Sequence, residues 1–78
     1  MSPALLASLA SLADLEAKHP RIARSVRVDN ADLAPRANAS EEVVKGWVKY
    51  LTLEIRNRHT NERNNRTRDA RNLALANG

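Results

Sequence analysis

The chain has no cysteine, no phenylalanine, two glycines and three prolines among its 78 residues. Without cysteine there is no disulfide framework and no thiolate to act as nucleophile or ligand, which fits a reducing, cytoplasmic setting. Gly46 and Gly78 cannot form a glycine-rich phosphate loop. Trp47 and Tyr50 are the only aromatics, so the core must be aliphatic. No apolar run approaches the roughly 20 residues of a membrane-spanning helix, so no membrane role is expected. Met1 to Ala13 is rich in Ala and Leu. It lacks a positively charged start, and Ser8 and Ser11 interrupt it, which argues against a signal peptide.

The same scarcity speaks against catalysis. His19 and His59 lie far apart without metal-ligand spacing, and both read as solvated surface residues. Glu41 and Glu42 are adjacent carboxylates at a helix start, where the helix dipole favours negative charge. No nucleophile has a base within reach in the sequence. The expectation is a non-enzymatic protein with no cofactor and no metal, working by binding.

What is present is aliphatic. Ten Leu, five Val and two Ile make 17 of 78 residues, with 13 Ala as filler. That lies just above the roughly 20% level below which charged chains stay disordered. The chain is one domain, 1–78, of thin stability, so a homodimer or a docked partner is expected to complete its core.

Residues 3–18 are predicted to form a helix. Ser2 caps it, Pro3 opens it, and Leu5, Leu9, Leu12 and Leu15 make its apolar stripe. His19-Pro20 stops it. Residues 21–27 read as a short helix, with a strand as the alternative, because Ile22, Val26 and Val28 alternate with polar residues. Residues 29–39 read as a loop. A second long helix is predicted over about 40–75. Val44, Val48, Leu51 and Ile55 form its stripe, and Trp47 flanks it as a core or dimer-packing residue. Gly46 weakens this helix and would admit a close helix crossing. The fold class is all-α, with a middle segment that is irregular or helical.

Charge is the most informative feature. The formal net charge is +4. Between Arg56 and Asn72 six arginines face only Glu62 and Asp69, so the whole excess lies there, and the basic segment is taken as 56–78. At about 100° per residue, Glu62, Arg66, Asp69 and Leu73 continue the Val44–Ile55 stripe, with Arg58 at its edge. Arg56, Arg63, Asn64, Thr67 and Arg71 fall on the opposite side. Arg58–Glu62 and Glu62–Arg66 have the spacing of helical ion pairs. Five asparagines weaken the helix, and a break near Asn64-Asn65 is the expected weak point.

Arginine's planar fork matches phosphate and stacks on bases, and asparagine matches adenine edges. The segment resembles arginine-rich nucleic-acid-binding peptides. If residues from Ser25 onward are read as strand–helix–helix, the chain is also loosely similar to ribbon-helix-helix repressors, although the N-terminal leucine helix lies outside that pattern. The expected function is nucleic-acid binding, to RNA or DNA, through Arg56, Asn57, Arg58, Arg63, Asn64, Arg66, Arg68 and Arg71. The alternative is an interaction module that places the same side chains on an acidic protein surface. It would be an accessory subunit, or an inhibitor of a host complex of the kind phages and mobile elements encode.

Overall fold

Ser2 heads the first helix. Its Oγ accepts a hydrogen bond from the Leu5 N–H at 3.2 Å, and Pro3 takes the first helical position, where a missing N–H costs nothing. In the computed structural model, which describes residues 1–77, this helix, α1, runs Pro3–Lys18. His19 then leaves the helical conformation, at φ −132° and ψ 63°, ahead of Pro20, and the chain turns a corner. Gly78, the last residue of the predicted basic segment, lies outside the described residues.

Pro20 opens α2, Pro20–Asp29. The strand alternative for this segment is thereby overturned, and with it the strand–helix–helix likeness. Ile22, Ala23 and Val26 share a helix face and pack inward, whereas a lone strand would have no edge to pair with. Val28, which made the alternation look regular, is 67% exposed. Asn30 ends α2 by returning both its backbone N–H and its Nδ2 to the Val26 carbonyl. The connection that follows is a loop holding one 3-10 turn, Ala31–Leu33.

Ser40 caps the third helix, α3, with Oγ accepting from the Val43 N–H at 3.4 Å, and Glu41 and Glu42 fill its first turn. α3 runs Glu41–Asn77 without a break at Asn64-Asn65. At 1.5 Å per residue its 37 residues span about 55 Å, which accounts for the 58 Å long axis of the molecule.

The core is one cluster. Leu5 and Leu12 from α1 and Ala23 and Val26 from α2 bury against Val48, Leu51 and Ile55 of α3, with Leu9, Leu15, Ile22, Val44 and Trp47 packed around them. These apolar contacts close within a single chain, so core formation alone does not call for a second copy. Polar contacts set direction. The Ser2 N–H donates to Glu41 Oε1 at 2.8 Å at one end, and the His19 ring lies on the His59 ring at the other, so α1 and α3 run side by side in the same sense. Tyr50 Oη donates to Asn30 Oδ1 at 2.8 Å and Arg58 to Ser25 Oγ at 2.9 Å, so α2 runs back antiparallel to α3.

Arg27 grips Glu16 with both Nε and Nη2, the second at 3.0 Å, and ties α2 to α1. The Glu16 hydrogen bond raises the Arg27 pKa further above its ordinary value, against a smaller desolvation effect. A raised cation adds stability that is present below its unfolded pKa and lost only as pH rises through its folded one. For arginine that window lies far above neutrality. The pair is half exposed, so it contributes at most about 1 kcal/mol.

Gly46 does not seat a helix crossing. A Cβ built there meets nothing within 4 Å. Its absence leaves only the entropic cost of glycine in a helix. Gly46→Ala is therefore expected to raise stability by about 0.5–1 kcal/mol, read as a higher urea midpoint with unchanged slope. Leu51→Ala or Ile55→Ala removes a fully buried side chain and is expected to cost about 2–5 kcal/mol. Arg63→Ala should shift the thermal midpoint hardly at all, since Arg63 is exposed.

Candidate nucleic-acid interface

α1 is 16 residues long and α3 is 37. Because the two run in parallel from one end, the corner at His19-Pro20 falls beside His59, and α3 continues past it alone. Every residue from Thr60 to Ala76 is exposed. The expected core-side line of Glu62, Arg66, Asp69 and Leu73 continues the apolar stripe, but only Glu62 and Arg66 edge a recess beside the α1–α2 corner, and every member of the line is exposed. The two acids are solvent-facing, and Leu73 and Leu75 stand exposed near the tip.

The candidate side chains divide into two groups. Arg58 belongs with the bundle. It is half-buried, and its Nη1 reaches Asp29 Oδ2 and Ser25 Oγ, each at 2.9 Å. The expected pairing of Arg58 with Glu62 is replaced by this strut to α2, whose last turn supplies a carboxylate closer to the arginine's path. Arg56, Asn57, Arg63, Asn64, Arg66, Arg68 and Arg71 lie on the exposed outer half of α3. Arg66 sits 3.9 Å from Glu62 as the second expected pair, and Arg68 Nη2 donates to Asn65 Oδ1 at 3.3 Å. Among the described residues, Arg56, Arg63 and Arg71 form no ion pair.

Two features were missed in the sequence, the first although helical spacing alone could have found it. Lys45 and Lys49 fall on the same side of α3 as Arg56 and Arg63, within about 40° of arc, so positive charge runs from the bundle onto the extension. They line a groove of about 470 Å³ between α1 and α3, floored by Ala7, Val48 and Leu53 and rimmed by Lys45, Lys49 and Arg56. At the far end of the bundle a polar recess of about 500 Å³ contains His19, Ser25, Arg58, His59 and Glu62. Its two imidazoles have ring centroids 4.1 Å apart. Neither is the isolated surface residue the sequence suggested. The signal was out of reach because the contact depends on the relative register of α1 and α3. No group of three metal-ligating side chains exists among the described residues.

The aromatic pair is structural. Trp47 packs against the core and stacks on Tyr50 at 6.0 Å between ring centroids, while the Tyr50 hydroxyl is held by Asn30. No described helix is long and apolar enough to cross a membrane.

Arg58→Ala is expected to lower stability by about 0.5–1 kcal/mol through loss of the α2–α3 strut. Asp29→Asn should reproduce part of that loss. A double-mutant cycle between the two checks it, and additive losses would separate the residues. No family model, curated protein or solved structure matches this chain.

Proposed function

We propose that the protein is a non-enzymatic nucleic-acid-binding protein that grips the phosphate backbone with the projecting half of α3. The observation that carries this reading is that Arg63, Arg66, Arg68 and Arg71 ride on the part of α3 beyond His59, where every residue to Ala76 is exposed, with Arg56 exposed at the rim of the bundle. A free helix with side chains is about 10–12 Å across and can lie along a polyanion on several of its faces. Beyond His59 four arginines stand against two carboxylates, so its potential is positive. The chain is read as acting in a cytoplasmic setting and as a homodimer.

A second reading is favoured by the α1–α3 groove. Its apolar floor and rim of Lys45, Lys49 and Arg56 suit an amphipathic helix with acidic flanks, as on a protein partner of an accessory subunit or inhibitor. Binding of that kind saturates at one defined partner and depends less on salt than phosphate contacts do.

Fluorescence anisotropy with labelled 30-mer DNA and RNA at about 50 mM and 200 mM salt separates the two readings. The wild type should bind at low salt and lose affinity steeply as salt rises. Replacing Arg56, Arg63 and Arg71 together with Gln should keep the far-ultraviolet helical signal and abolish binding, because Gln keeps length and helix propensity but not charge. No binding of either nucleic acid at low salt removes the first reading. A synthetic acidic amphipathic helix that binds and is lost on Lys45→Glu and Lys49→Glu would then establish the second.

A further inference from the structure

We infer that the outer face of the α3 extension is a DNA major-groove reading strip, with Asn64, Thr67 and Arg71 as the base-contacting residues. This rests on the nucleic-acid reading above and narrows it from polyanion binding to sequence recognition of duplex DNA.

The inference comes from the order of side chains around the helix. Thr60, Asn64, Thr67 and Arg71 are spaced four, three and four residues apart and fall within about 60° of arc, forming one strip. Arg63 lies about 70° to one side of the strip's centre and Arg68 about 70° to the other. Glu62 and Asp69, the only acids of the extension, sit on the opposite face. A polar strip between two arginine flanks, with the acids turned away, is the arrangement a helix needs inside a groove. The strip meets base edges, and the flanks meet the phosphates of the two walls.

Side-chain chemistry selects the groove. Asn can bond the N6 and N7 edge of adenine in a bidentate fashion, and Arg the O6 and N7 edge of guanine. Thr67 Oγ1 donates back to the Arg63 carbonyl at 3.0 Å, which fixes its rotamer and leaves the methyl group as its free outer surface. A methyl contacts the C5 methyl of thymine, which RNA lacks. The B-DNA major groove is about 12 Å wide and admits an α-helix, whereas that of A-form RNA is too narrow. Asn64 to Arg71 covers seven residues, about 10.5 Å, or about three base-pair steps.

The fold leaves the approach clear. α1 and α2 pack on the side of α3 that carries Val48, Leu51 and Ile55, and the strip points about 160° away from that line. The bundle therefore stands outside the groove when the extension lies in it.

Repeated selection from a randomised 20-base-pair duplex library with the full chain tests this. The expected result is enrichment of a motif of three to four base pairs containing adenine and guanine at positions matching Asn64 and Arg71. Asn64→Ala should reduce discrimination at one position by about 5- to 150-fold and leave the salt slope unchanged. Arg63→Gln with Arg68→Gln should weaken all sequences equally and flatten the log–log salt plot by ~0.9 for each lost phosphate contact. Both variants alter exposed positions, and circular dichroism confirms that helicity is kept. Equal affinity for duplex DNA and duplex RNA with no enriched motif overturns the inference while backbone binding stands. Absence of binding to any nucleic acid overturns both.

Discussion

The structure depends on a length mismatch. The apolar faces of α1 and α2 extend only as far as His19, so they cover α3 from Val44 to about His59 and no further. Burial of Leu51, Ile55, Val26 and Leu5 drives that docking, each worth about 1.5–3 kcal/mol on transfer from water. An isolated helix of this composition would be marginal, because the first turn is costly to nucleate. Residues 60–76 need no nucleus of their own. They continue a helix whose first half is already held by the core, adding one hydrogen bond for each residue ordered. The bundle therefore acts as the nucleus of the extension.

That division also sorts the charges. Cations that lie over the bundle are drawn into it where a carboxylate is near. Arg58 reaches Asp29 and Arg27 reaches Glu16. Beyond the corner only Glu62 and Asp69 remain, and both lie on one side of α3, so the other side carries uncompensated positive charge. The ion pairs on the surface are each weak, and their effect is on direction more than on stability. The Arg58 strut joins α2 to α3 at the place where α3 leaves the bundle.

The corner of the bundle brings together groups with no sequence relation. His19 ends α1, His59 lies on α3 forty residues later, and their rings meet, tilted by 33°, because α1 and α3 start together and run in parallel. The same parallel register puts Ala7 beside Val48 and Leu53 and opens the cation-rimmed groove. Small residues on α1, Ala7, Ser8 and Ser11, keep that groove from filling.

Local physics was legible in the residues themselves. Ser2-Pro3 and Ser40 with Glu41 and Glu42 specify helix starts, His19-Pro20 specifies a stop, and the leucine and valine stripes at 3.6-residue spacing name Leu5, Leu12, Val48, Leu51 and Ile55 as core. The sidedness of the arginines followed from the same geometry, since the positions of Arg63, Asn64 and Arg71 around a helix depend on residue number alone. Ile22 to Val28 was ambiguous, because a seven-residue segment fits both a two-residue and a 3.6-residue period, and only burial against α1 and α3 decides between them. The fate of individual cations was not legible either. Arg58 stands at the edge of the apolar stripe, four residues from Glu62, yet it pairs with Asp29 and Ser25, which come near only once α2 has folded back. Whether the line through Glu62, Asp69 and Leu73 met a core or solvent was likewise decided by where α1 and α2 end. A periodic pattern states which residues share a face, and only the packed neighbours state what that face meets.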